Sequence, residues 1–130
     1  MRAEGRTVRI LAVDDDSSVR DWLRFLLERE GWLVDEAPSG EAALEWLSAH
    51  EADIVVLDQV MGDGLSGLDT AKKLRKLRYN GPIVLFSAFL EPALEKRLRR
   101  LKVLPVSKVA IYEQRFDPAN AGVVATAEVP

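Results

Sequence analysis

The stretch IVVLDQVMGDGLSGLDTAKKL, Ile54 to Leu74, decides how the chain is read. Ile54 to Leu57 form an apolar run of the kind a strand buried on both faces needs, and the run stops at a carboxylate, Asp58. A glycine pattern, Gly62-x-Gly64-x-x-Gly67, follows and opens into a helical period through Leu68, Ala71 and Leu74. Strand, glycine turn and helix in this order also announce a dinucleotide site, so the two readings have to be separated.

A dinucleotide turn needs its glycines directly after the strand, where the backbone approaches the pyrophosphate, and an acid about 20 residues later for the ribose. Here Gln59, Val60 and Met61 intervene, and the next strand ends in FSA with no acid. Asp58 would also set a negative charge against the bound anion. No Gly-Lys-Ser or Gly-Lys-Thr occurs anywhere, which removes the P-loop, and Val60 breaks the Asp-x-Asp pattern of strand-end phosphatases. The carboxylate, rather than the glycines, is then the point of the stretch.

The same unit repeats on either side. VRILAVD from Val8 reads as a strand that also ends in carboxylates, Asp14, Asp15 and Asp16. SSVRDWLRFLLEREG places Val19, Trp22, Leu23, Leu26 and Leu27 at helical spacing, with Asp16 or Ser17 as cap and Gly31 as stop. WLVDEA is a second strand, and SGEAALEWLSAH a helix with Ala43, Leu44 and Leu47 inward. After the third strand, a helix is expected over GLDTAKKLRKLRYNG, with Leu77 or Arg78 completing its inner face and Gly81 ending it. PIVLFSA is a fourth strand closing on Ser87. EPALEKRLRRLK is a helix opened by Pro92, with Leu94, Leu98 and Leu101 inward, and VLPVSK is a fifth strand carrying Lys108. Five apolar strands alternating with helices predict an α/β fold, a parallel sheet covered on both sides. VAIYEQRF allows about two turns of helix, and residues 117–130 have no amphipathic period and read as an irregular C-terminal tail after a domain spanning 1–116.

Composition narrows the function. With 130 residues and 48% of them apolar, one core can be buried, and no cysteine is present for disulfides or thiolate chemistry. A single histidine, His50, leaves no His-based cluster and reads as a solvated helix end. No apolar run is long enough to span a bilayer or act as a secretory signal, so a soluble cytoplasmic protein is expected. Trp22, Trp32 and Trp46 read as packing residues.

In an open parallel sheet, ligands sit beyond the carboxyl ends of the strands. The polar residues there are Asp14 and Asp15, then Asp58, Ser87 and Lys108, one set per strand end. Clustered carboxylates repel unless compensated, and oxygen-rich sites suit a hard cation such as Mg2+. A hydroxyl and a lysine across the pocket add a place for a phosphoryl group. In this order and spacing, ILAVDDDSSVRDWL, GWLVDEAPSGEAALEWL, DIVVLDQVM, PIVLFSA and VSK resemble the receiver domain of bacterial two-component response regulators, over roughly residues 7 to 108.

That resemblance implies a flavodoxin-like, doubly wound sheet of order 2-1-3-4-5. It implies Asp58 as phosphoacceptor, Asp15 as a direct ligand of Mg2+, Asp14 as holder of a metal-bound water and the Val60 carbonyl as a further ligand. Ser87 would hydrogen-bond the phosphoryl oxygen and Lys108 would pair with it. The donor would be a phosphohistidine of a sensor histidine kinase or phosphotransfer protein, or a small acyl phosphate. The domain would signal by protein contact and catalyse nothing beyond its own phosphorylation and dephosphorylation.

The chain departs from the family at named places. The loop after Asp58 is one residue longer, with Gly62 in place of a proline and Ser66 where an acid is usual. Val109 replaces the proline after the lysine, and a cis bond there is strongly disfavoured. Pro105 replaces a switching aromatic, for which Phe86 or Phe89 is the available substitute, and the last helix is short or missing. These departures favour the alternative of a pseudo-receiver, a binding module independent of phosphorylation. Residues 71–102 carry ten basic and two acidic side chains inside a chain of net charge −3. Two solvated helix faces explain such a block, or a docking face for an acidic partner on the third and fourth helices. An acidic chain without a recognition-helix module argues against nucleic acid.

Overall fold

The computed structural model describes residues 7–109. Nine elements alternate without exception: β1 (Arg9–Val13), α1 (Ser17–Glu28), β2 (Leu33–Ala37), α2 (Gly40–Ala49), β3 (Ile54–Asp58), α3 (Gly67–Lys76), β4 (Ile83–Ser87), α4 (Pro92–Arg100) and β5 (Val103–Ser107). The strands form one sheet of order β2-β1-β3-β4-β5, parallel at every pairing. The fold is therefore the doubly wound, flavodoxin-like arrangement expected. The expected helix after Lys108, the 1–116 boundary and the 117–130 tail involve residues beyond 109, outside the described residues.

Two apolar layers follow from the strand period of two. Ile10, Ala12, Val56, Val84 and Phe86 face the layer that contains Leu23 and Leu27 of α1. Leu11, Val13, Val55, Leu57, Ile83 and Leu85 face the opposite layer, filled by Ala43 of α2, Leu68, Ala71 and Leu74 of α3, and Leu98 of α4. β3 and β4 are buried at every position. Their polar residues therefore appear only where the strands end, and that confines the chemistry to one edge.

Local chemistry sets the helix limits. Asp16, rather than Ser17, caps α1, its side chain accepting from the Ser18 N–H, and Gly31 follows the helix at φ 84°. Ser39 and Ser66 cap α2 and α3 in the same way, and Pro92 opens α4.

The third helix corrects the sequence reading. It stops at Lys76, not at Gly81, and Leu77 is 70% exposed instead of completing the inner face. Arg78 takes the left-handed position, φ 70°, while the Tyr79 N–H bonds back to the Leu74 carbonyl. A helical period continued on paper, but the backbone had already turned to feed β4. No cis peptide bond occurs among the described residues, and no helix among them is long and apolar enough to cross a membrane.

Candidate functional site

The carboxyl ends of β1, β3, β4 and β5 lie side by side because β1 and β4 flank β3 and β5 follows β4. A cleft at that edge is lined by Asp14, Asp15, Asp58, Val60, Ser87 and Lys108. All the sequence-predicted site residues therefore meet in one place. Asp14 and Asp58 are buried, Asp15 is exposed, and one carboxylate oxygen from each lies within 4.8 Å of the others.

The electrostatics of the cleft follow from that crowding. Burial pushes the Asp14 carboxyl up to about 7, against a hydrogen bond from the Asp16 N–H, with the neighbouring Asp58 charge adding to the rise. Burial also raises Asp58, against the opposing charge and hydrogen bond of Lys108, whose Nζ stands 3.3 Å from Asp58 Oδ1. Asp14 Oδ2 is buried with no hydrogen-bond partner. A buried oxygen without a donor is costly, and an oxygen-seeking cation would remove the deficit. The donor set, three carboxylates at short separation, fits Mg2+.

Ser87 is buried at the end of β4, but its hydroxyl is turned into a local loop. It donates to the Phe89 carbonyl at 3.0 Å and accepts from the Phe89 N–H at 3.2 Å. Of the two aromatic substitutes considered, Phe86 lies buried under Lys108, whose Nζ is 5.6 Å from the ring centroid, whereas Phe89 is 72% exposed at the cleft mouth. Pro105, in the place of the switching aromatic, is a buried member of β5 paired with Leu85. An edge strand tolerates its missing N–H.

The sequence reading missed four supporting side chains. Arg20, one turn into α1, donates Nη1 to the Asp14 carbonyl at 2.6 Å and Nε to Glu36 at 2.8 Å, which fixes the acidic peptide against β2. Arg24 donates to the other Glu36 oxygen at 2.7 Å. Gln59 Oε1 accepts from the Leu68 N–H at 2.9 Å, and Glu41 Oε2 from the Leu65 N–H at 3.0 Å, so the longer loop after Asp58 is anchored to α2 and α3. Helical spacing from Asp16 could have marked Arg20; nothing in the sequence marks Glu41, whose partner is 24 residues away.

Gly62 and Gly67 have different reasons. Gly62 sits at φ 70°, open to glycine and strained for other residues. Gly67 brings α3 against β3 so closely that a Cβ would run into the Asp58 carbonyl and reach 2.7 Å from Leu85 Cδ1. The glycine pattern thus shapes a loop and a close approach next to Asp58.

Known proteins agree with this geometry. The model of the response regulator receiver domain matches residues 10–104. TcrX of Mycobacterium tuberculosis, a probable transcriptional regulatory protein, is 35% identical over 100 residues, 77% of this chain and 42% of that protein. PhoP of Bacillus subtilis, an alkaline phosphatase synthesis transcriptional regulatory protein, is 39% identical over 80 residues, 62% of this chain and 33% of its own. The chain spans less than half the length of these relatives. Since they are named as transcriptional regulators, the net charge of this chain carries no argument against nucleic acid for a longer protein, and the expectation drawn from it is withdrawn. Among solved structures, response regulator TrrA of Thermotoga maritima in complex with Mg2+ and BeF is 33% identical with a TM-score of 0.68, over 78% of this chain and 85% of that one. A Francisella response regulator receiver domain has a TM-score of 0.78 at 22% identity, over 93% and 98%, a likeness of fold alone. With the family's motifs in order, its sheet topology and its convergent strand ends all present, the chain belongs to the response regulator receiver domain family.

Proposed function

We propose that the chain accepts a phosphoryl group on Asp58. The observation that carries this reading is the meeting of Asp58 with Lys108, 3.3 Å away, in a cleft that gathers three carboxylates, two of them buried. An Asp58 carboxylate oxygen attacks phosphorus while the bond from phosphorus to the donor's imidazole nitrogen or acyl oxygen breaks, and the bonding pair leaves with the donor. Lys108 answers the charge that arrives on the phosphoryl oxygens. Ser87 would exchange its bond to the Phe89 carbonyl for one to a phosphoryl oxygen, which couples Phe89 to the event. Arg20 and Gln59 hold the two backbone segments that carry the acids.

Asp14, Asp15 and Asp58 would hold Mg2+, with the Val60 carbonyl as a further ligand by the family resemblance. When bound, the ion supplies positive charge that offsets the clustered carboxylates and the incoming phosphoryl group. The donor would be a sensor histidine kinase, a phosphotransfer protein or a small acyl phosphate, and the output protein contact.

Three of the four residues that favoured a pseudo-receiver, all but Val109, have local structural roles: Ser66 caps α3, Pro105 packs in an edge strand, and Gly62 allows a left-handed turn. None of them occupies the cleft. The test is intact mass after incubation with Mg2+ and acetyl phosphate. The wild type gains one phosphoryl group and Asp58→Asn gains none. Equal gain by both would remove Asp58 from the role.

A further inference from the structure

The end of the molecule opposite the cleft carries a second feature. A groove of about 680 Å3 lies where α2 and α3 end and β3 and β4 begin, with Leu44, Leu47, Leu74, Leu77 and Pro82 among its walls. Leu77, which the helical period had assigned to the core, is 70% exposed there. A single exposed leucine is ordinary; one at the lip of an apolar groove is an anchor point. Beside it, and sharing Asn80, Gly81 and Pro82 with it, runs a second groove lined by Arg75, Arg100 and Lys102.

The cations at this end are not arranged as solvated helix faces would be. Arg75 is withdrawn from the surface: its guanidinium donates to the carbonyls of Tyr79 and Gly81 in one turn, and of Leu101 and Lys102 in the other. One side chain thereby joins the α3–β4 and α4–β5 turns into a single surface. Arg99 is spent on Glu95 of its own helix. Arg78, Arg100 and Lys102 remain exposed, and none pairs with a described acid.

Arg78 at φ 70° and Lys102 at φ 59° are the two non-glycine residues with positive φ among the described residues. Each follows a helix C-terminus, where glycine would relieve a strain of about 1 kcal/mol. A cation near a helix C-terminus also interacts favourably with the macrodipole, which accounts for charge at each position taken alone. It does not account for an apolar groove between them and α2.

We propose that this end is a docking face for an acidic, amphipathic protein segment, whose apolar side chains enter the groove at Leu77 and whose carboxylates meet Arg78, Arg100 and Lys102. The phosphate backbone of a nucleic acid would satisfy the cations but leave the apolar groove empty. Glu51, which also lines the groove, favours one direction, since acidic residues of the segment are repelled there and drawn towards α4. The face lies at the far end of the strands from Asp58, and the inference stands whether or not Asp58 accepts phosphate.

The test uses the full chain and a fluorescein-labelled peptide with leucine at helical i, i+3, i+4 and i+7 spacing and glutamate between. Anisotropy should report binding that weakens with salt, and backbone amide shifts should centre on Leu77, Arg78, Gly81 and Lys102. The pair Arg78→Gly and Lys102→Gly should weaken binding about tenfold while leaving the melting temperature unchanged or raised, because glycine relaxes both turns. Replacing the peptide leucines by serine should abolish it. The proposal is overturned by no binding, by binding the glycine pair leaves unchanged, by shifts elsewhere, or by duplex DNA binding the same face as tightly as the peptide.

Discussion

Asp14 shows how much of the site's behaviour comes from burying one carboxyl. Its folded pKa, about 7, stands above the ordinary carboxylate value, so between roughly pH 4 and 7 the folded chain holds this proton more tightly than the unfolded one. Without divalent ions, stability should therefore fall as pH rises through that window, by up to about 4 kcal/mol if the group titrates alone. Asp14→Asn should flatten the profile, read by urea unfolding in chelator at several pH values; a profile unaltered by the substitution would contradict the assignment. Mg2+ opposes the same deficit, so its affinity should rise with pH towards 7 and level off above it, measurable by calorimetry. The residue types at these strand ends were legible in the sequence because polar residues interrupt apolar runs. Their protonation was not, because it depends on burial and on Asp58, which lies 44 positions along the chain.

At the scale of elements, the loop from Asp58 into α3 was the hardest to read and is the most informative. Its glycines look alike in sequence, yet Gly67 sits where a Cβ would meet the Asp58 carbonyl. Gly67→Ala should cost about 1–3 kcal/mol by overpacking and impair phosphorylation together with stability, whereas a change confined to either would point elsewhere. Ser66 stands where the family has an acid; as the N-cap of α3 it accepts from the Asp69 N–H at 3.0 Å. Ser66→Ala should cost about 1 kcal/mol and Ser66→Asp much less, as a melting series would show. Strand and helix identities came through the sequence because periods of two and 3.6 are local properties. The end of α3 did not, because Leu77 and Arg78 continue the period while the chain turns towards β4.

The whole molecule is assembled so that one edge of the sheet carries the acids and the opposite end is tied by Arg75. Burial holds the Arg75 guanidinium below its usual range, and its donors serve four carbonyls in two turns. Arg75→Met should cost about 2–4 kcal/mol in urea unfolding, much more than neutralising the exposed Lys72 or Lys73. A run of ten basic residues thus contains both structural and exposed members, a division that sequence order alone does not display. Sheet order explains the rest: β1, β3, β4 and β5 had to be neighbours for Asp14, Asp58, Ser87 and Lys108 to meet, and it was the resemblance to the receiver family that implied that order before any distance was known.

The most direct measurement is chemical mapping of the phosphoryl group. After incubation with Mg2+ and acetyl phosphate, borohydride reduces an aspartyl phosphate to homoserine, which peptide mass spectrometry locates. Homoserine at position 58 alone, dependent on Mg2+ and lost in Lys108→Ala, is the predicted result. Homoserine at another aspartate, or equal labelling with the ion chelated, would contradict the phosphoacceptor site described for this chain.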